Sequence, residues 1–455
     1  MLSPRLLLTL APLGLGLGLA ACVTDAVTGK RRYAPVQWDV AEELELGRES
    51  APNVESQFDA AYPDPLVNEE LGKIVAQLVA LSPRKDDFEF RFEVLNSSIP
   101  NAFALPGGLV YITRGLLQEL ETEAEFIAVL GHELGHVEHR HSMLNQSKGA
   151  VTGLITRPLG AVARRLPIGG RIVGAAAGVV AAPSVLFGLK FSREQELEAD
   201  QRGVYFCAEL GYDPREFMRV FELFERMEQE SGGGSEFSIL RTHPLNKNRV
   251  EGIEKTLEDD YPELAQRDNA SFRRSSPRFA EILEGFHTRK EAYAFYDRAL
   301  SRVGDQPEDI DQDILEAAKA DLHAARTLVP DEPLFQLFEG ELALAAEDYE
   351  GALQHFVEAH AIYERRTPGK GHWKVPFFLG AMALEAGQVK DAIEYLVMAE
   401  ARFPLNGMIS FALGRANEAK GDAEAARAAY ERAEQHLPGD SPLKKEARRR
   451  RKELR

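Results

Sequence analysis

The chain has 455 residues, of which 44% are hydrophobic and 28% charged, and a formal net charge of −18. That length supplies core material for two or three domains, and the acid excess excludes nucleic acid as the main partner, since such a partner calls for a basic face. With Cys22 and Cys207 as the only cysteines, a disulfide-stapled framework is excluded too.

Met1 to Ala21 reads as a processing segment: Arg5 gives the positive start, Leu6 to Leu19 is apolar and uncharged, and Leu19-Ala20-Ala21-Cys22 ends in small residues before a cysteine. These four residues resemble the bacterial lipobox. The resemblance implies that Cys22 is lipidated and becomes the first residue of the mature protein, held at a membrane surface without spanning it. Val23, in place of the Asp that favours inner-membrane retention in enteric bacteria, points to the outer membrane, facing the periplasm. A tether is expected over residues 22–45 and a folded domain over 46–265.

Within that domain, Phe88-Glu89-Phe90-Arg91-Phe92-Glu93-Val94 alternates as a half-buried strand should.

Thr122-Glu123-Ala124-Glu125 is a capping box that opens a helix, and Phe126, Ile127, Val129, Leu130, Leu134 and Val137 mark that helix as mostly buried. It carries His132-Glu133-Leu134-Gly135-His136, an H-E-x-x-H sequence. Residues four apart share a helix face, so both imidazoles can grip one ion. Glu133 lies about 100° round the helix, beside the ion, where it can take a proton from the attacking water. That is the layout of a zinc metalloprotease.

A hydrolytic zinc wants a third protein ligand and one open position. His139 and His141 are close, but the metzincin frame needs Gly at 139 and His at 142, where this chain has His139 and Ser142. The other source is a carboxylate on a second helix, and Ser192 to Asp200 is an acidic run opening one, with Glu196 and Asp200 a turn apart. Between these helices, Ile172 to Leu189 holds eighteen uncharged residues. Being rich in Ala and Gly and broken by Pro183, it reads as a buried or membrane-leaning excursion rather than a span.

The chain is identified here as resembling the M48 family of zinc metalloproteases, the HtpX and Ste24 group. The resemblance implies zinc ligands His132, His136 and Glu196, the last from an E-x-x-x-D motif whose Asp200 orients a ligating imidazole. Glu194 and Glu198 do not match that frame and read as a solvated face. Asn101 to Ile112 is similar to the family's strand-and-turn segment before the zinc helix and, with Phe88 to Val94, suggests a small sheet whose edge would receive an extended peptide by strand addition; Thr242-His243-Pro244 with Arg249 resembles the family's H-P segment. This implies that His243 and Arg249 lie near the metal, supporting the oxyanion, or that His243 caps the open position and holds the enzyme latent. Cys207, in the apolar run Val204 to Ala208, is expected to be a small core residue.

A polar linker is expected over residues 266–285 and helices thereafter. Gly340, Ala352, Phe356 and Ala359 recur as Gly380, Ala392, Leu396 and Ala399, then as Gly414, Ala426, Tyr430 and Ala433, with Pro404 and Pro438 closing the last two units. The last two are spaced by 34 residues and the first pair by 40, stretched by the loop Arg365 to His372. The pattern resembles a tetratricopeptide array, preceded by an irregular unit at Ala318, Leu322, Ala325 and Pro330. Residues 441–455 form a basic tail, read as a solvated helix end.

The implied fold class is α+β, mainly α: a zincin-type (gluzincin) metallopeptidase domain with a small sheet, then an all-α solenoid over 286–440. The implied activity is zinc-dependent endoproteolysis of misfolded or stalled outer-membrane proteins in periplasmic quality control. The repeats would hold substrate or outer-membrane assembly machinery. The alternative from another class is a chaperone-like assembly factor or scaffold with latent proteolysis.

Overall fold

A computed structural model describes residues 22–34, 38–145, 191–231, 239–244, 247–265, 272–304, 310–439 and 441–454. The processing segment Met1 to Ala21 and residues 150–190, which include the Ala/Gly-rich excursion, lie outside the described residues. Among the described residues no helix is long and apolar enough to cross a membrane.

Where a tether was expected, the chain forms an antiparallel hairpin, β1 (Cys22–Thr24) and β2 (Arg31–Tyr33). Asp25 builds its turn by accepting hydrogen bonds at Oδ1 from the N–H groups of Val27 and Thr28 and from the Thr28 hydroxyl. Two capped helices follow, α1 (Val40–Gln57) and α2 (Pro65–Ala80). The sheet consists of β3 (Arg91–Leu95), β4 (Ala102–Leu105) and β5 (Leu109–Thr113) in the order β3-β5-β4, with β3 parallel and β4 antiparallel to the central strand. Although the alternation begins at Phe88, pairing begins only at Arg91. Phe88 and Phe90 instead cover the left-handed turn at Gly108, where a Cβ would come within 2.7 Å of the Phe88 ring.

After the single turn α3 (Arg114–Leu117), helix α4 (Glu123–Glu138) runs through the middle of the domain. Both halves of its Thr122/Glu125 capping box are formed, and every residue of it is buried. Helix α5 (Arg193–Glu209) lies along it, opened by a second capping box of Ser192 and Gln195. The two approach closely because Gly203 has no side chain: a Cβ there would lie 3.0 Å from the Ala128 carbonyl oxygen and 2.2 Å from Phe217. Helices α6 (Glu216–Ser231), α7 (Ile239–Thr242), α8 (Lys247–Asp260) and α9 (Pro262–Ala265) complete the domain. Cys207 is fully buried.

The helical array starts earlier than the composition suggested. Helix α10 (Pro277–Val303) opens inside the stretch read as linker because Ser276 caps it and Phe279 and Phe286 are core residues, packed on Phe126 and Tyr62 of the first domain with ring centroids 5.3 and 5.0 Å apart. It pairs with α11 (Gln312–Leu328). Three regular pairs follow: α12 (Pro333–Ala345) with α13 (Tyr349–Arg366), α14 (Lys374–Glu385) with α15 (Val389–Arg402), and α16 (Gly407–Lys420) with α17 (Ala423–His436). The recurring glycines explain the recurring large residues. Gly340 faces Phe356, Gly380 faces Leu396 and Gly414 faces Tyr430, each so closely that a Cβ would fall within 2.7 Å of the partner ring or side chain.

The basic tail forms helix α18 (Pro442–Glu453), seated on the array by buried Ala447. Its arginines are paired rather than simply solvated, Arg450 with Glu418 at 2.9 Å and Arg451 with Glu434 at 2.6 Å. Array and sheet domain share a polar seam. Glu332 accepts from Asn96 Nδ2 at 2.9 Å and from the Tyr293 hydroxyl at 2.6 Å, and buried Arg114 lies over the Tyr293 ring. Lys370, in the loop that stretches the first repeat, pairs with Glu93 of β3 at 2.7 Å.

Candidate metal centre

Helix α4 presents His132, Glu133 and His136, α5 presents Glu196 and Asp200 across from them, His243 follows α7, and Arg249 lies on α8. All seven are buried. His136 Nε2 is 3.0 Å from His132 Nε2, and His243 Nδ1 is 3.2 Å from His132 Nε2 and 3.1 Å from Glu196 Oε1. The Glu196 oxygens stand 3.6 and 3.7 Å from the two Nε2 atoms of α4. One ligand atom from each of His132, His136, Glu196 and His243 falls within a 4.8 Å cluster.

The donor set fits a divalent cation on three grounds. Two imidazole nitrogens 3.0 Å apart turn lone pairs toward each other, which a positive ion between them relieves. Among the described residues Glu133 Oε1 is a buried acceptor without a hydrogen bond, where buried polar atoms are ordinarily paired. Imidazole nitrogen with carboxylate oxygen is, moreover, a donor set suited to zinc.

Behind the cluster, His132 Nδ1 lies 2.8 Å from Asp200 Oδ1. Arg249 donates to both Asp200 oxygens, from Nε at 2.8 Å and Nη2 at 2.6 Å, while its Nη1 lies 3.0 Å from Glu196 Oε2 and 3.3 Å from the His243 carbonyl. Arg249, expected near the metal, lies beside the cluster and is engaged with both carboxylates and the His243 backbone. Phe191, which no motif indicated, stacks on His136 with centroids 3.9 Å apart and also faces His243.

Electrostatics follow from burial and crowding. Burial lifts the Glu133 carboxyl above its ordinary range, against the pull of His243 and His132. For Glu196 burial acts in the same direction, but His243 and His132 outweigh it and bring it to about 2. His136 is held well below the ordinary imidazole value by burial and by His132.

A second group stands against the first. His141, fully buried, places its Nδ1 2.9 Å from His136 Nδ1 and its Nε2 3.1 Å from Glu198 Oε2. Glu198 is therefore not a solvated-face residue: it also accepts from Arg32 Nη2 at 2.6 Å, and His141 with Arg32 brings its pKa to about 2 against the effect of burial. Burial holds His141 down to about 4. Asp25 joins Arg32 Nε at 2.8 Å to His139 Nδ1 at 2.7 Å. Helical periodicity places residue 141 off the metal face. The chain returns it there because Arg140 adopts φ +56, a left-handed turn without glycine that the sequence does not announce.

Residues 65–257 match Peptidase family M48, and residues 380–441 match Tetratricopeptide repeat. The mitochondrial metalloendopeptidase OMA1 of Schizosaccharomyces pombe is 28% identical over 239 residues, covering 51% of this chain and 65% of that protein. OMA1 of Arabidopsis thaliana is 36% identical over 157 residues, 34% of this chain and 29% of that one. The beta-barrel assembly-enhancing protease of Escherichia coli (strain K12) is 26% identical over 197 residues, 41% and 38% of the two chains. The chain thus spans less than two thirds of each of these relatives. By its sequence match, this chain carries a peptidase domain of family M48, followed by tetratricopeptide repeats.

Proposed function

We propose that the chain is a zinc-dependent endopeptidase whose ion is held by His132, His136 and Glu196, with Asp200 orienting His132 and Glu133 as general base. The observation that carries this reading is the convergence of these buried nitrogen and oxygen donors beside the Glu133 carboxylate, whose Oε1 accepts no hydrogen bond among the described residues and lies 3.6 Å from His243 Nε2. When bound, the ion supplies Lewis-acid chemistry that polarises the scissile carbonyl and acidifies the attacking water. Glu133, lifted by burial toward the working range of a general base, takes the water's proton and delivers it to the leaving amine.

The substrates are misfolded or stalled envelope proteins, and the repeats hold substrate or outer-membrane assembly machinery. Two relatives named for enhancing beta-barrel assembly, from Vibrio cholerae and Escherichia coli, support that choice, and the lipobox-like residues before Cys22 support a lipid-anchored position on the periplasmic side of the outer membrane. A second reading, a scaffold with latent proteolysis, draws on His243, whose Nδ1 lies within the ligand cluster where an open position is needed. In that arrangement His243 acts as a latch, and proteolysis follows its withdrawal.

The test is cleavage of casein or unfolded porin by the purified protein and by its Glu133→Gln counterpart, with bound zinc quantified. One zinc per chain in both, with cleavage lost in the variant, is the expected result. A wild-type protein that binds no zinc refutes the reading.

A further inference from the structure

The two histidines of α4 are supported from behind in parallel but unequal ways. With Nε2 of each turned into the cluster, each Nδ1 carries the proton and must donate it outward. His132 donates directly to Asp200, which Arg249 grips. Among the described residues His136 has no carboxylate in its hydrogen bonds. Its Nδ1–H meets His141 Nδ1 at 2.9 Å, His141 Nε2–H donates to Glu198 Oε2 at 3.1 Å, and Arg32 donates to Glu198 Oε1 at 2.6 Å.

We propose that His141, Glu198 and Arg32 form a positioning relay for His136, so that docking of the N-terminal hairpin is part of building the metal centre. The inference rests on the metal-dependent reading above and adds a component to it. Arg32 lies on β2 and is anchored from below by Asp25, whose side chain is fully buried and binds His139 at the end of α4. The hairpin therefore grips both the terminus of the His-bearing helix and the carboxylate that fixes its second histidine.

His139, His141 and Glu198 themselves lie close enough together to suggest a second ion. The cation in that group is already present: Arg32 bridges Glu198 and Asp25, and both nitrogens of His141 are engaged. A relay accounts for both nitrogens of His141 and both oxygens of Glu198 without another ligand.

The test is zinc affinity of the full chain, measured by chelator competition, with circular dichroism as a check on folding. Glu198→Ala and Arg32→Ala sit at partly exposed positions and retain the fold. Each weakens zinc binding about tenfold or more, the usual effect of removing a group that orients a metal ligand. The double variant is no weaker than the weaker single, since both break one chain of hydrogen bonds. Glu194→Ala, which removes the same charge from an exposed position of the same helix, leaves the affinity unchanged and Arg32→Lys restores part of it. Wild-type affinity in Glu198→Ala, or an equal loss in Glu194→Ala, overturns the relay alone. Two zinc ions per wild-type chain assign the group to an ion and also overturn it, whereas no zinc on the wild type overturns the functional reading together with the relay.

Discussion

Replacing Gly203 with Ala separates the stability of the fold from the geometry of the metal centre. The added methyl would sit 2.2 Å from Phe217 Cε2 and 3.0 Å from the Ala128 carbonyl oxygen. An ordinary carbon contact needs about 3.5–4.0 Å, so roughly 1.5 Å of room must be made. Phe217 cannot supply it all: the ring is buried against Phe221 at 5.5 Å and His132 at 6.2 Å. Part of the movement must come from α5, which carries Glu196 and Asp200. Overpacking of this kind costs about 1–3 kcal/mol, and the gain of Ala over Gly within a helix returns about 1 kcal/mol. Net destabilisation of the metal-free protein is thus about 0–2 kcal/mol. Ligand positions tolerate only about 0.2 Å, so zinc affinity falls at least about tenfold. Chelator competition beside thermal unfolding of the metal-free protein measures both. Zinc affinity within twofold of wild type would refute the claim that contact between α4 and α5 sets the site.

Two further predictions concern regulation and pH. His243→Ala is expected to raise peptidase activity on an unfolded substrate, because its Nδ1 lies inside the ligand cluster; lower activity would assign His243 to the transition state instead. Glu55 accepts from the Tyr111 hydroxyl at 2.8 Å, and burial together with Glu93 raises its carboxyl from 4.5 to about 7. A raised acid holds its proton more tightly in the folded state, so stability is full below 4.5 and falls as pH rises to 7. Glu55→Gln should flatten that slope, gaining about 1–2 kcal/mol at pH 7.5 and nothing at pH 4.5, roughly half the full linkage value of such a shift. Urea unfolding at both pH values checks it, and an equal effect at both would count against the assignment.

The parts of the site legible in the sequence were those governed by helical periodicity. Spacing alone places His132 and His136 on one face, the capping box at Thr122 marks where the first helix starts, and the acidic run from Ser192 marks the second. The pairing of Glu196 with that face came from resemblance to a known motif, and the structure shows its physical basis in the bare backbone at Gly203. What stayed hidden depends on tertiary return of the chain. His141 comes back through a left-handed Arg140, and Arg32 arrives from more than a hundred and sixty residues away to convert Glu198 from an expected surface charge into a bound one. The linker was misplaced for a similar reason: the polar, proline-bearing composition before Gly285 concealed Phe279, whose contact with Phe126 makes the helix begin at Pro277.

The seam of Asn96, Arg114, Tyr293 and Glu332 gives the repeats a mounting rather than a leash. A flexible connection would let a captured chain sample the active site at a local concentration set by linker length. Under the proposed reading, in which the repeats hold substrate, a fixed mount works as a ruler: whatever the array grips would be offered to His132 and His136 at one spacing and from one direction. Reach, before any preference for particular side chains, then decides which bonds of a bound polypeptide come within range.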